Sequence, residues 1–200
     1  MQLQPVNKAI QHQQKEKALI EWKTLPEQSY KAIQVISFDD VIKAESPSLA
    51  KMKKEYGDIH TKAILTIIIV DVIKFFNVGK SMSDVQVGQT IELIQQEYWM
   101  LKPEDFKLCF NNAKKGMYGQ VYDRIDGQVI MSWLQQHIAK RFEFSEQQSM
   151  QKHDRLKKET ETMRQQQLQS DKEKHQEIQR IAVQQYINNQ KNNEENQNRQ

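Results

Sequence analysis

Apolar residues along this chain recur at three- and four-residue spacings, which mark helix faces. The clearest case follows Lys102. Pro103 suits the first helical position, where its missing N–H is not needed, and Glu104 and Asp105 follow where the helix dipole is positive. Phe106, Cys109, Phe110, Ala113 and Met117 then share one face, Lys114 and Lys115 crowd the last turn, and Gly116 can take positive φ and end the helix. Gly119 permits a tight turn in the loop that follows. Asp126 can cap the next helix, which carries Ile130, Trp133, Leu134, Ile138 and Phe142 on one side.

Upstream, Ser83-Asp84-Val85-Gln86 matches a capping box ahead of a face traced by Val87, Ile91, Ile94, Tyr98 and Leu101. The most apolar run, residues 63–78, has Asp71 and Lys74 inside it and falls short of the roughly 20 residues that span a bilayer. Its isoleucines and valines favour strand by propensity. However, Ala63, Ile67, Val70, Ile73 and Lys74 suit a helix, capped by Asp58 and ended at Asn77-Val78-Gly79. This run is therefore expected to be a central buried helix. A shorter helix is expected from Ser46-Pro47-Ser48 to Gly57, with Leu49, Met52 and Tyr56 on one side. Residues 1–24 read as a modestly amphipathic helix, broken at Leu25-Pro26-Glu27, with a second piece to about Val35. Ser37 to Ile42 reads as a loop or a short extended arm.

From Gln128 to Gln200 there is neither glycine nor proline. From Ser145 to Gln200, glutamine and asparagine supply 20 of 56 residues, and charged residues of nearly cancelling sign another 19. Pairs such as Lys157 and Glu161 stand at helical spacing and support an exposed helix. Apolar positions are sparse: Met150, Leu156, Met163 and Leu168, then a cluster of Ile178, Ile181, Val183, Tyr186 and Ile187. Leu156 to Met163 is one heptad step that is not sustained, which argues against a strong coiled coil. The segment reads as a polar helical stalk with an interaction patch at Ile178, Ile181, Tyr186 and Ile187, ahead of a frayed tail. Disorder is the rival reading. The fold class is thus all-α: an N-terminal helical arm over 1–45, a compact bundle over 46–144, and a long polar C-terminal helix over 145–200.

Composition narrows the chemistry. Six glycines and four prolines favour helix over a β-sandwich, and a formal charge of +3 is too small to imply nucleic-acid binding by itself. The single cysteine, Cys109, lies on an apolar face and reads as a small buried hydrophobe, in keeping with a reducing cytoplasm. Gly79-Lys80-Ser81 has the ending of a phosphate-binding loop, but Lys74 stands where that motif needs a glycine. The five histidines stand apart, with no metal-ligand spacing, and His137 reads as packed or hydrogen-bonded. Glu104-Asp105 and Asp123/Asp126 have ordinary helix-terminus roles. No enzyme, cofactor or metal site is expected, nor is a secretion signal or a membrane span.

One cluster carries more weight. Lys114, Lys115, Tyr118, Tyr122 and Arg124 place aromatics among cations near a glycine-bearing loop, where bases could stack and phosphates be neutralised. The plainer reading packs Tyr118 and Tyr122 on the bundle and pairs Arg124 with Asp123 or Asp126.

The string GKSMSDVQ, with Tyr98, Leu101, Glu104 to Leu108, Ala113-Lys114, Gly116, YGQVYDRIDG, Trp133-Leu134 and Arg141, resembles a group of small helical proteins of phages and mobile elements. The resemblance covers roughly residues 58–142, and its clearest part is YGQVYDRIDG. The helical layout is similar, more loosely, to phage replication accessory proteins that deliver a replicative helicase. The resemblance implies a non-enzymatic accessory protein acting in the host cytoplasm, with a replicative helicase or single-stranded DNA as its partner. A structural or packaged virion protein, oligomerising through its C-terminal helix, is the alternative.

Overall fold

A computed structural model describes residues 4–76 and 78–197, with side-chain surroundings for 13–181 (Asn77 apart) and 183–185. Eight helices follow one another: α1 (Gln4–Thr24), α2 (Pro26–Ala32), α3 (Phe38–Lys43), α4 (Leu49–Tyr56), α5 (Asp58–Phe75), α6 (Asp84–Glu97), α7 (Pro103–Lys114) and α8 (Gly127–Gln197). The described residues hold no strand, only isolated bridges between Lys80 and Arg124 and between Met117 and Gly119. The fold is all-α. The chain divides into two compact units, Met1–Phe144 and Ser145–Gln200.

In the first unit α5 is central, packed against α2, α4, α6 and α7. Thr61, Ile64, Leu65, Ile68, Ile69 and Val72 are its buried residues, not the face expected from Ala63, Ile67, Val70, Ile73 and Lys74. Ala63 and Lys74 are exposed, and the other three are half-buried. A helix apolar almost all round has no polar stripe to set its phase, so sequence spacing cannot orient it. Its N-cap also differs from expectation. Gly57, at φ 84°, holds the cap position, while Asp58 is the first helical residue and pairs with Lys53 at 2.8 Å and Lys62 at 3.3 Å.

The faces of α6 and α7 follow the sequence pattern. Val87, Ile91, Ile94, Tyr98 and Leu101 are buried, as are Phe106, Cys109, Phe110 and Ala113. Ser83 and Gln86 form the reciprocal capping box. Met117 and Phe142 depart from the expected faces, at 56% and 59% exposure. Gly116, at φ 75°, turns the chain away before Met117 can continue the α7 stripe. The apolar face of α8 is already thinning where Phe142 stands, and Lys140 and Glu143 beside it are exposed.

Ser37 to Ile42 is neither loop nor extended arm. It forms α3, started by a capping box in which Asp40 accepts from the Ser37 backbone N–H and donates its own amide to the Ser37 hydroxyl. Such a box satisfies two otherwise free amides. The N-terminal helices share the core of the bundle, with Trp22 and Tyr30 at 3% and 2% exposure. The Tyr56 hydroxyl donates to the Leu19 carbonyl at 2.6 Å, and burial pushes that hydroxyl's pKa up to about 12. Trp22 Nε1 donates to Ser46 Oγ, which in turn donates to buried Glu104.

Candidate nucleic-acid and partner surfaces

The loop after α7 brings the five expected cationic and aromatic residues into one region but gives them unequal freedom. Lys114 Nζ lies 3.1 Å from Asp71 on α5 and 5.3 Å from the centre of the Phe75 ring. Only about a fifth of its side chain is exposed, so it ties α7 to α5. Tyr118 is half-buried, with Lys140 Nζ 5.2 Å above its ring. Its hydroxyl sits near Cys109 and Asn112 without an aligned hydrogen bond, and burial raises its pKa. These two residues serve packing. Lys115 is exposed at the C-cap of α7, and Tyr122 is 84% exposed. Arg124 is mostly exposed and meets Asp126 through Nε at 3.2 Å.

Asp126 has two tasks. Its Oδ1 accepts from the Val129 amide at 3.1 Å, capping α8 as the sequence suggests, while Oδ2 holds Arg124. Cys109 is fully buried, and desolvation pushes its thiol pKa up, so it stays a small apolar packing residue.

The fold adds a neighbour that spacing could not reveal. The Lys80 amide donates to the Asp123 carbonyl, and the Ile125 amide donates to the Lys80 carbonyl, both at 3.1 Å. Gly79-Lys80-Ser81 therefore runs beside Asp123-Arg124-Ile125 as a single parallel bridge. Lys80 is exposed, and no described carboxylate stands within ion-pair distance of it. Next to the loop lies a groove of about 480 Å³ lined by Tyr118, Gln120, Tyr122, Arg124, Gln128 and Trp133.

A second cluster is buried and structural. Asp105 caps its own helix by accepting from the Lys102 amide at 3.0 Å. Its other oxygen lies 3.2 Å from His137 Nε2 and 2.9 Å from Arg141 Nε, the latter close but not aligned as a hydrogen bond. An ionised carboxylate only accepts, so the His137 contact requires the Nε2–H tautomer. Asp105 and His137 are fully buried, and the Phe38 ring centre lies 5.1 Å from that of His137. The sequence places Asp105 at a helix start and His137 in a packed position. Only the i, i+4 pairing of His137 with Arg141 on α8 hinted that both face one carboxylate.

In the second unit every described residue from Ser149 to Gln185 is exposed. Ile178, Ile181 and Val183 stand at 64%, 50% and 59% exposure. The other two members of the expected patch, Tyr186 and Ile187, have side chains outside the described residues. Among the described residues no group of histidine, cysteine and carboxylate side chains could hold a metal, and no helix is long and apolar enough to cross a membrane. No known protein family, no characterised protein and no solved structure matches this chain.

Proposed function

We propose that this protein is a non-enzymatic accessory protein that binds other macromolecules with two surfaces, the loop around Tyr122 and the helix beyond Phe144. One observation carries the reading: Met150, Leu156, Met163, Leu168, Ile178 and Ile181 are at least half exposed on a helix that offers them no cover. Four of them, Leu156, Met163, Ile178 and Ile181, lie along one side of the helix, and an uncovered apolar stripe supports a partner-binding reading. The specific role is that of a replication accessory protein of a phage or mobile element. The bundle contacts a replicative helicase or single-stranded DNA, and the long helix reaches the second partner. The sequence resemblance over residues 58–142 supports that role.

The alternative is a structural or packaged virion component. It is favoured by Leu156, Met163, Ile178 and Ile181, which fall within roughly 60° of one another at about 100° per residue and would form an oligomerisation seam. Affinity purification of the tagged full chain from its native cells, with mass spectrometry, separates the two. A near-stoichiometric replicative helicase or single-strand-binding protein is the expected result. Recovery with capsid, portal or tail proteins would replace the replication role by the virion one.

A further inference from the structure

The residues facing each other across the Lys80–Arg124 bridge are both cations. Neighbouring strands lie about 4.8 Å apart, and like charges directly opposite are destabilising. Two backbone hydrogen bonds nevertheless hold Lys80 and Arg124 in register. Asp126 relieves only one of them. Its Oδ2 lies 3.2 Å from Arg124 Nε, and the guanidinium, with five N–H donors on a mostly exposed side chain, keeps donors for a ligand. This arrangement is unhelpful to the fold and well suited to an anion.

The adjoining groove gives that anion a context. Its volume of about 480 Å³ lies within the roughly 300–1,000 Å³ of small-ligand pockets. Its lining includes Tyr118, Tyr122 and the mostly buried Trp133, with Gln120 and Gln128, and the carboxylate of Asp123 stands in it beside Arg124. Aromatic rings stack on any base, and side-chain amides can both donate to and accept from a base edge. We infer that this is a nucleotide subsite. Lys80 and Arg124 take a phosphate of a single nucleic-acid strand, Tyr122 stacks on the base, and Gln120 and Gln128 meet its edge. The inference rests on the single-stranded DNA branch of the proposed function and replaces its residues. Lys114 leaves the cationic set, and Lys80, 44 positions before Arg124, enters it.

The charges set the kind of binding. Lys80 and Arg124 are balanced by Asp123 and Asp126, so long-range attraction is weak and short contacts dominate. A site that neutralises about one phosphate has a shallow salt dependence, with a log–log slope of about −0.7 for single strands.

The test is fluorescence anisotropy of the full chain with a short labelled oligo(dT), titrated at several salt concentrations. Wild type should bind with that shallow slope. Tyr122→Ala should weaken binding on the order of tenfold, the expected loss of one stacked base, and Tyr122→Phe should restore it. Lys80→Ala should weaken binding and flatten the slope, while Lys114→Ala should leave binding unchanged wherever circular dichroism shows the bundle intact. Tyr122 and Lys80 are exposed, so their loss leaves the fold standing. Undiminished binding by both Tyr122→Ala and Lys80→Ala would overturn this subsite while the single-strand reading stands. No binding by wild type would overturn both and leave only protein partners. Displacement of the oligonucleotide by equal concentrations of dTMP would identify a free nucleotide as the ligand and overturn the assignment to a strand.

Discussion

The helix α8 is one continuous element held in two different ways. Over its first turns Ile130, Trp133, Leu134 and His137 are buried in the bundle. From Ser149 to Gln185 the same helix buries no described side chain. There it relies on a glycine- and proline-free backbone and on local pairs such as Arg155–Glu159 at 3.4 Å and Glu177–Arg180 at 3.9 Å. Such exposed pairs contribute a few tenths of a kcal/mol each, whereas a buried Leu or Ile side chain contributes about 1.5–3 kcal/mol. The same secondary structure is therefore a fixed part of the fold in one region and a presented surface in the other.

Paired substitutions sharpen this contrast, and the largest effect is expected at the buried carboxylate. Asp105→Ala removes the shared partner of His137 and Arg141, and loss of one side of a buried ionic cluster costs about 3–5 kcal/mol. Urea unfolding followed by tryptophan fluorescence measures it, since all three tryptophans lie in the first unit. A loss of less than 1 kcal/mol would mean that the cluster contributes little to holding α7 and α8 together. Leu65→Ala, at a fully buried position of α5, should cost about 2–5 kcal/mol, while Leu156→Ala should stay within about 0.5 kcal/mol for the isolated chain. A large loss at Leu156 would show that the exposed helix already has a partner, most simply a second copy.

Gly127→Ala tests the start of α8. A Cβ there would meet Thr90 Oγ1 at 2.4 Å, so the substitution should destabilise the bundle by about 1–3 kcal/mol. Adding Thr90→Ala should recover part of that loss in a double-mutant cycle. Strictly additive losses would refute a direct clash.

The smallest effect is a slope. Burial raises the Glu104 pKa, against which the Ser46 hydrogen bond works. The folded state therefore holds this proton more tightly than the unfolded chain. Glu104 consequently reduces stability progressively as pH rises from its ordinary value of 4.5 through the raised folded value. The Glu104→Gln variant should lose this downward contribution, leaving it with a relatively flatter or more upward stability–pH slope than wild type across that window. Identical slopes would mean that Glu104 titrates normally.

Much of the architecture was legible because its signals are local. A capping box, a proline at a helix start and a glycine at a helix end each lie within a few residues of what they control. Hence α4, α6, α7 and the beginning of α8 follow the sequence pattern closely. Where the pattern was ambiguous the reading failed. Ser37–Asp40 is itself a capping pattern, but the short segment after it gave no periodic support for α3. The uniformly apolar α5 withheld its phase.

The candidate site was half legible. Composition singled out Lys115, Tyr122 and Arg124, which are exposed, together with Lys114 and Tyr118, which the fold engages elsewhere. Whether a lysine is free or paired depends on what lies across from it, and Asp71 is 43 residues away from Lys114.

By itself the sequence determined that this is a helical protein, where most of its helices begin and end, and that the region beyond Phe144 is polar. Local hydrogen bonding and hydrophobic periodicity act over a few residues and are written directly in the chain. Only the tertiary structure decided that Asp105, His137 and Arg141 share one buried site, that Lys114 belongs to Asp71, and that Lys80 stands beside Arg124. Those outcomes depend on which helices meet and at what register, and packing sets that across distant parts of the chain.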